Sequence, residues 1–216
     1  MAHEIKNPLT PIRLSAERIL RKYRSDPSGL GGLLEQAVGS IVREVENLNT
    51  LLGEFRDFAR LPTPTLSPVS LSSILDSSVE SIASSYPGIV IDTSGFQDCA
   101  IMADRKQLSQ AFYNLLKNAV DAMSEEGIII ISNSLVTKGN LRYCRIQLQD
   151  TGDGIPEEDW DQVSNPYFTT KPKGTGLGLS IVERIIFDHK GYIWFETEPG
   201  VGTTFFLDLP AADTKL

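Results

Sequence analysis

Cysteine is nearly absent from this chain. Cys99 and Cys144 are the only two in 216 residues, and they sit in unrelated patterns without metal-ligand spacing. That excludes a thiolate metal centre and predicts two buried thiols in a reducing compartment. Positive charge is scarce too: 20 Lys and Arg stand against 28 Asp and Glu, a formal net charge of −8, with no basic run longer than a few residues. Nucleic acid is therefore not an expected partner. No apolar run approaches the roughly 20 residues of a membrane span, and no signal peptide is visible, so a soluble, cytoplasmic unit is expected. Internal repeats and low-complexity tracts are likewise missing. What is present is 41% hydrophobic, enough to bury one good core and a second small one.

The chain opens on Met1-Ala2-His3-Glu4-Ile5-Lys6-Asn7-Pro8, and from Ile5 the apolar positions Ile5, Leu9, Ile12, Ala16, Ile19 and Tyr23 make one helical stripe. At roughly 100° per residue the stripe spans about 80°, and His3 falls on the opposite side. His3 is predicted to be exposed, with Glu4 beside it and Asn7 one turn on. Pro8 and Pro11 remove backbone donors and are expected to bend the helix. Ser25 to Gly29 and Gly31-Gly32 read as a hairpin loop. A second helix then repeats Leu34, Val38, Ile41, Val45, Leu48, Leu52, Phe55 and Ala59 with heptad spacing. Two such helices cannot bury both stripes alone. An antiparallel hairpin dimerising into a four-helix bundle would bury them; packing of the hairpin on the following domain is the alternative.

Leu61 to Pro68, with prolines at 62, 64 and 68, reads as a short, stiff linker. Beyond it the pattern changes class: a helix from Leu71 to about Ser85, apolar runs at Ile89–Ile91 and Ala100–Met102, and a helix from Asp104 to Met123. Strands are expected at Ile128–Leu135, Tyr143–Gln149, Tyr192–Thr197 and Thr203–Leu209. This predicts one antiparallel or mixed sheet with helices on one face, an α/β sandwich.

The chemistry concentrates between Asp150 and Val182. Strand alternation through Ile146 and Leu148 turns Asp150 inward, and a buried carboxylate requires a donor, such as the exocyclic amine of a purine. Asp150-Thr151-Gly152-Asp153-Gly154 keeps the following backbone open. Gly174-Thr175-Gly176-Leu177-Gly178 runs into an apolar helix, whose first N–H groups suit an anion. No Lys-Ser or Lys-Thr follows these glycines, so this is not a P-loop, and no strand immediately precedes them as in a dinucleotide fold. On the Asp104 helix, Asn114, Asn118 and Asp121 share one face at i, i+4, i+7, and amide oxygens suit a hard cation such as Mg²⁺.

These residues together resemble the sensor histidine kinases. His3-Glu4-Ile5-Lys6-Asn7-Pro8-Leu9 is similar to the family's H box, Asn114–Asn118 to its N box and Asp150-x-Gly152-x-Gly154 to its G1 box. Pro166-Tyr167-Phe168-Thr169-Thr170-Lys171 is similar to the F box, Gly174-x-Gly176-x-Gly178 to the G2 box, and Gly200-x-Gly202-Thr203 to the last glycine turn. Six motifs in the family's order cover nearly the whole chain, and the wording around His3 is most similar to nitrogen-regulation kinases of the NtrY type. The resemblance implies an α+β chain. A dimerisation and phosphotransfer hairpin over residues 1–62 would be followed by a linker over 63–70, an ATP-binding domain of the histidine kinase/Hsp90-like type over 71–212 and a tail over 213–216.

It further implies that His3 accepts the phosphoryl group, that Glu4 polarises or deprotonates its imidazole, and that Asn7 serves dephosphorylation of the regulator. Asn118 would ligate Mg²⁺ with Asn114 and Asp121 alongside, Asp150 would take the adenine amino group, and Gly152, Gly154 and Thr203 would shape its pocket. Ile155 to Lys173 would form an ATP lid containing Phe168, with Lys171 or Lys173 able to neutralise phosphate charge. Gly174, Thr175, Gly176, Leu177 and Gly178 would close over the phosphates. The expected cofactors are ATP and Mg²⁺, and the expected partners a second copy and a response regulator receiver domain. Segments upstream of residue 1 are expected to carry the sensor and an inner-membrane anchor. The rival in the same superfamily is an ATPase clamp or chaperone. Such proteins place a water-activating Glu four residues before the metal-binding Asn, where this chain has Asn114, an amide that cannot act as a base.

Overall fold

A computed structural model of the chain describes residues 2–25, 30–59, 61–171 and 174–213; at residues 2–5, 50, 51, 54, 55 and 57–59 it describes the helical backbone but not the side chains. The chain divides into two compact units, one of residues 1–61 with 171–175 and the other of residues 62–170 with 176–216.

The helical unit is a hairpin of α1 (Ala2–Ser25) and α2 (Leu30–Ala59). α1 continues across Pro8 and Pro11. Each proline withdraws the donor of the carbonyl four residues back, at Glu4 and Asn7, while leaving the rest of the ladder intact. Gly31 and Gly32, read above as loop, lie instead in the first turns of α2. A glycine there costs about 1 kcal/mol relative to alanine, and half-burial of Leu30 and Leu33 on either side offsets it. The hairpin covers only part of the two stripes. Ile12, Ile19, Ile41 and Leu48 are half-buried, whereas Leu9, Tyr23, Leu34, Val38, Val45 and Leu52 stay exposed.

In the α/β unit, β1 (Ser67–Ser70) pairs antiparallel with β3 (Ala100–Ala103) as a separate two-stranded sheet. Two expectations are corrected here. Residues 67–70, assigned to the linker, form a strand, because Val69 and Ser70 lie in register with Ile101 and Ala100 and lead straight into α3. The single sheet expected is also two, since the Ala100–Met102 run forms its strand with β1 apart from the main sheet. That sheet has the order β2 (Ile89–Asp92), β4 (Gly127–Lys138), β5 (Leu141–Asp150), β7 (Gly202–Pro210), β6 (Tyr192–Glu198), with β2 parallel to β4 and all other pairs antiparallel. The helices are α3 (Leu71–Ser85), α4 (Arg105–Ala122) and α5 (Gly178–Asp188).

One face of the sheet carries Ile129, Ile131, Ile146, Leu148 and Leu207, all fully buried with Ile74, Ile82, Leu108, Phe112, Leu115, Val182 and Ile185 of the helices. At roughly 1.5–3 kcal/mol per fully buried aliphatic side chain, this core outweighs any single polar contact in the fold. Caps set the helix starts. The Ser70 side chain accepts from Ser73 N–H, and Asp104 accepts from Lys106 and Gln107 N–H, each cap contributing about 1 kcal/mol. Asp104 also accepts from Thr65 N–H at 3.0 Å, and Gln107 Nε2 donates to the Pro62 carbonyl at 2.8 Å, so the start of the α/β unit is tied to the head of α4.

The two cysteines are not thiols. Cys99, just before β3, and Cys144, on the core-facing side of β5, form a disulfide across 45 residues of sequence. Asn133 of β4 lies between them, donating to Cys144 Sγ at 3.2 Å and to the Gln97 carbonyl at 2.8 Å. Their unrelated sequence patterns hide this proximity, because it arises from the packing of the 93–99 loop across β4. No described helix is long and apolar enough to cross a membrane.

Candidate functional site

The buried end of β5 anchors the site. Asp150 is 3% exposed, on the same face as Ile146 and Leu148, as strand alternation requires. Its Oδ1 accepts from Gly152 N–H at 2.9 Å and from Thr203 N–H at 3.2 Å. Those two backbone donors orient the carboxylate from the turn after β5 and from β7 at once. Gly152 itself admits no side chain, since a Cβ there would lie 2.8 Å from both the Cβ and the carbonyl oxygen of Ala122. The tight approach, with Asp153 N–H donating to the Ala122 carbonyl at 3.2 Å, seats the C-terminal turn of α4 on the end of β5.

α4 brings Asn114 and Asn118 to the start of α5. Asn114 Nδ2 donates to the Gly178 carbonyl at 3.4 Å, and Asn118 Oδ1 lies 4.0 Å from where a Cβ on Gly178 would sit. Among the described residues no side chain caps α5, so the first turn of an apolar, well-packed helix presents backbone N–H groups at this point. Amide oxygens beside uncapped helix N–H groups form an environment for a phosphate chain with a hard cation. Asp121, the third member of the strip, is turned to a different use. It is exposed and forms an ion pair with Lys117, whose ammonium lies 4.7 Å from the centre of the Tyr86 ring. Burial works against the Lys117 charge, but hydrogen bonds to Asp121 and Tyr86 raise its pKa overall.

The backbone between β5 and α5 closes on itself. Gly176 has φ +68°, and a Cβ on it would meet the Tyr167 carbonyl carbon at 2.5 Å and the Phe168 oxygen at 2.6 Å. Only glycine fits there. Tyr167 N–H donates to the Gly176 carbonyl at 2.9 Å, which clamps the Tyr167-Phe168 turn against the glycine loop, with Phe168 half-buried. Gly154 also has positive φ, and Ile155 N–H donates to Thr197 Oγ1 at 2.9 Å while its carbonyl accepts from Trp160 Nε1 at 3.0 Å. Leu177 is fully buried. Between the two ends, Lys171 and Thr175 are half-buried, and Gly174 N–H donates to the Lys171 carbonyl at 3.1 Å. Lys173 lies outside the described residues.

The helical unit holds the remaining candidates. His3 and Glu4 belong to α1, but their side chains lie outside the described ones, so the expected exposure of His3 is untouched by the structure. Asn7 is exposed on the same helix.

Sequence reasoning missed three polar groups of the α/β unit, two of them away from this site. His189 ends α5 fully buried, its Nδ1–H donating to the Ile185 carbonyl at 2.7 Å and its Nε2 accepting from Asp104 N–H at 2.9 Å, which joins the end of α5 to the head of α4. Burial holds its pKa below the usual imidazole value despite hydrogen bonds and acidic neighbours that favour the cation. Asp208 is fully buried on the other side of the sheet, accepting from Arg145 Nε and Nη2 at 2.8 and 2.9 Å and from Lys138 Nζ at 2.8 Å. Burial pushes its carboxyl up, and the two cations more than reverse that, leaving it below the ordinary range. Thr197 is the third, legible only as the partner of Thr203 across a glycine turn.

Comparison with known proteins agrees with this geometry. Residues 103–213 match the family described as histidine kinase-, DNA gyrase B- and HSP90-like ATPase, and residues 1–64 match the His kinase A (phospho-acceptor) domain. The chain is 36% identical to the nitrogen regulation protein NtrY of Azorhizobium caulinodans over 223 aligned residues, covering all of this chain and 28% of that protein. It is 32% identical to the sensor histidine kinase ZraS of Escherichia coli, covering all of this chain and 45% of the relative. The chain thus spans between about a quarter and a half of these relatives' length. Among solved structures, histidine kinase ThkA in complex with response regulator protein TrrA aligns with a TM-score of 0.71 at 27% identity, over 97% of this chain and 59% of that one. Full-length ShkA in complex with AMPPNP aligns with a TM-score of 0.67 at 26% identity, over 99% and 45%.

Proposed function

The chain belongs to the sensor histidine kinases, and from that membership we propose that it is a catalytic core transferring the γ-phosphoryl group of ATP to its own His3 and then to an aspartate of a response regulator. The observation that carries the reading is the approach of Asn114 and Asn118 to the uncapped start of α5, beside the buried Asp150. Asp150 accepts a hydrogen bond from the adenine amino group, and a neutral-to-charged bond of that kind contributes about 1.5–3 kcal/mol. The first N–H groups of α5, together with Thr175 and Leu177, hold the phosphates, and Lys171 or Lys173 adds positive charge. Mg²⁺, when bound, neutralises phosphate charge, and Asn118 would hold it through its amide oxygen, with Asn114 alongside. Glu4 takes or polarises the imidazole proton of His3. As the phosphorus–oxygen bond to ADP breaks, a phosphorus–nitrogen bond forms, and a receiver-domain carboxylate later displaces the histidine. Positioning and charge neutralisation supply the acceleration.

The chain acts as a homodimer, its open apolar stripes covered by a second copy, and a response regulator receiver domain is its substrate; ThkA, a neighbour in fold, was solved with such a regulator. Asn114, an amide where an ATPase clamp would need a basic carboxylate, argues against hydrolysis as the main outcome. Incubation with γ-labelled ATP and Mg²⁺ tests the proposal. Acid-labile, alkali-stable label lost in His3→Gln is expected, and label that survives acid or that substitution would overturn it.

A further inference from the structure

The turn at Gly200-Val201-Gly202 places Thr197 of β6 directly opposite Thr203 of β7. Three polar groups converge on the Thr197 hydroxyl: Ile155 N at 2.9 Å, the Gly202 carbonyl at 3.1 Å and Thr203 Oγ1 at 3.0 Å. A hydroxyl has one proton and two lone pairs. Ile155 N–H can only donate and the Gly202 carbonyl can only accept, so the Thr197 proton goes to Gly202. Thr203 O–H must then donate to Thr197. The direction of the Thr203 hydroxyl is thereby set, with its lone pairs turned away from Thr197. The same residue's backbone N–H donates to Asp150 Oδ1 at 3.2 Å, so this hydroxyl stands beside the carboxylate assigned to adenine.

We propose that Thr197 is a positioning residue for nucleotide binding: it fixes the rotamer of the Thr203 hydroxyl so that an acceptor faces the adenine position next to Asp150. The inference rests on the reading of Asp150 as the adenine site. Thr197 touches no substrate; it acts through Thr203. A role in hairpin stability alone predicts a lower melting temperature in Thr197→Val without any link to Thr203.

Calorimetric titration of the 216-residue chain with ADP and Mg²⁺ separates the two. Thr197→Val is expected to weaken ADP about tenfold, the scale of one hydrogen bond, while Thr197→Ser, which keeps the hydroxyl, stays within about twofold of the parent. In a Thr203→Val background the further change Thr197→Val is expected to shift affinity by less than about twofold, since the group it positions is gone. Parent-like binding by Thr197→Val, failure of serine to rescue, or an undiminished loss in the Thr203→Val background overturns the proposal. Should Thr197→Val not fold, Thr203→Val alone must reproduce the tenfold loss, and parent-like binding there overturns it equally. Asp150→Asn serves as the control: if it leaves ADP affinity unchanged, the adenine reading falls and Thr197 with it, whereas a loss in Asp150→Asn without one in Thr197→Val removes only the role of Thr197.

Discussion

His189 shows how one buried side chain joins the two helices that line the site. Neutral, it satisfies the Asp104 N–H and the Ile185 carbonyl; protonated, it would carry a charge into a fully buried position and lose its acceptor. Its folded pKa is depressed, so as pH falls through about 6.5 the unfolded chain takes up a proton that the native state refuses. Stability contributed by this residue is therefore complete above that pH and declines below it. Denaturant melts between pH 7 and pH 5, above the range where most carboxylates titrate, should show falling stability in the parent and a flatter profile in His189→Gln. Equal slopes would remove His189 from this role. Asp150 belongs to the same scale: its burial followed from alternation in β5 and its Gly152 donor lies two residues on, whereas its Thr203 donor lies 53 residues away, which no local pattern reveals.

At the scale of elements, α1 and α2 form a hairpin that leaves its own stripe half open. Leu34, Val38, Val45 and Leu52 are 42, 44, 43 and 50% exposed, along one line of α2 at heptad spacing. Covering such a line with a second copy would contribute roughly 1.5–3 kcal/mol for each aliphatic side chain fully buried. Val38→Glu with Val45→Glu should accordingly weaken self-association at least about tenfold while leaving ADP affinity unchanged, since neither residue lies in the nucleotide-binding unit. Sedimentation equilibrium of parent and variant decides it, and an unaltered association constant would sink the bundle. At this scale too, β1 stands in place of an expected linker. Pro68 tolerates a position in a short two-stranded ribbon, and sequence offers no sign that Ala100–Ala103 waits to pair with it.

For the molecule as a whole, the proposal joins two chemistries on one helix. Asn7 lies one turn from His3 and is exposed, so its amide can hold a water toward a phosphorylated receiver domain without taking part in transfer from ATP. Asn7→Ala is expected to keep autophosphorylation within about twofold and to lose most dephosphorylation of the regulator. Both rates are to be measured on one preparation. Parallel loss of the two would instead make Asn7 a support for the Pro8–Pro11 segment, whose helix already lacks the donors that proline removes.

The sequence by itself determined the order and type of nearly every element, because periods of 3.6 and 2 and the glycine turns are local properties that core burial rewards directly. It also made the site's chemistry legible: an inward Asp at a strand end, two amides one turn apart, glycines ahead of an apolar helix. Tertiary structure alone decided which polar groups meet. The Cys99–Cys144 disulfide, the Arg145–Asp208 pair and the His189–Asp104 bond span 45, 63 and 85 residues. Thr197 acquired its three partners only when β6, β7 and the start of the lid converged on one oxygen. A hydrogen bond leaves no periodic trace in the chain; its partners are chosen by the packing of surfaces that the hydrophobic pattern brings together but does not register residue by residue.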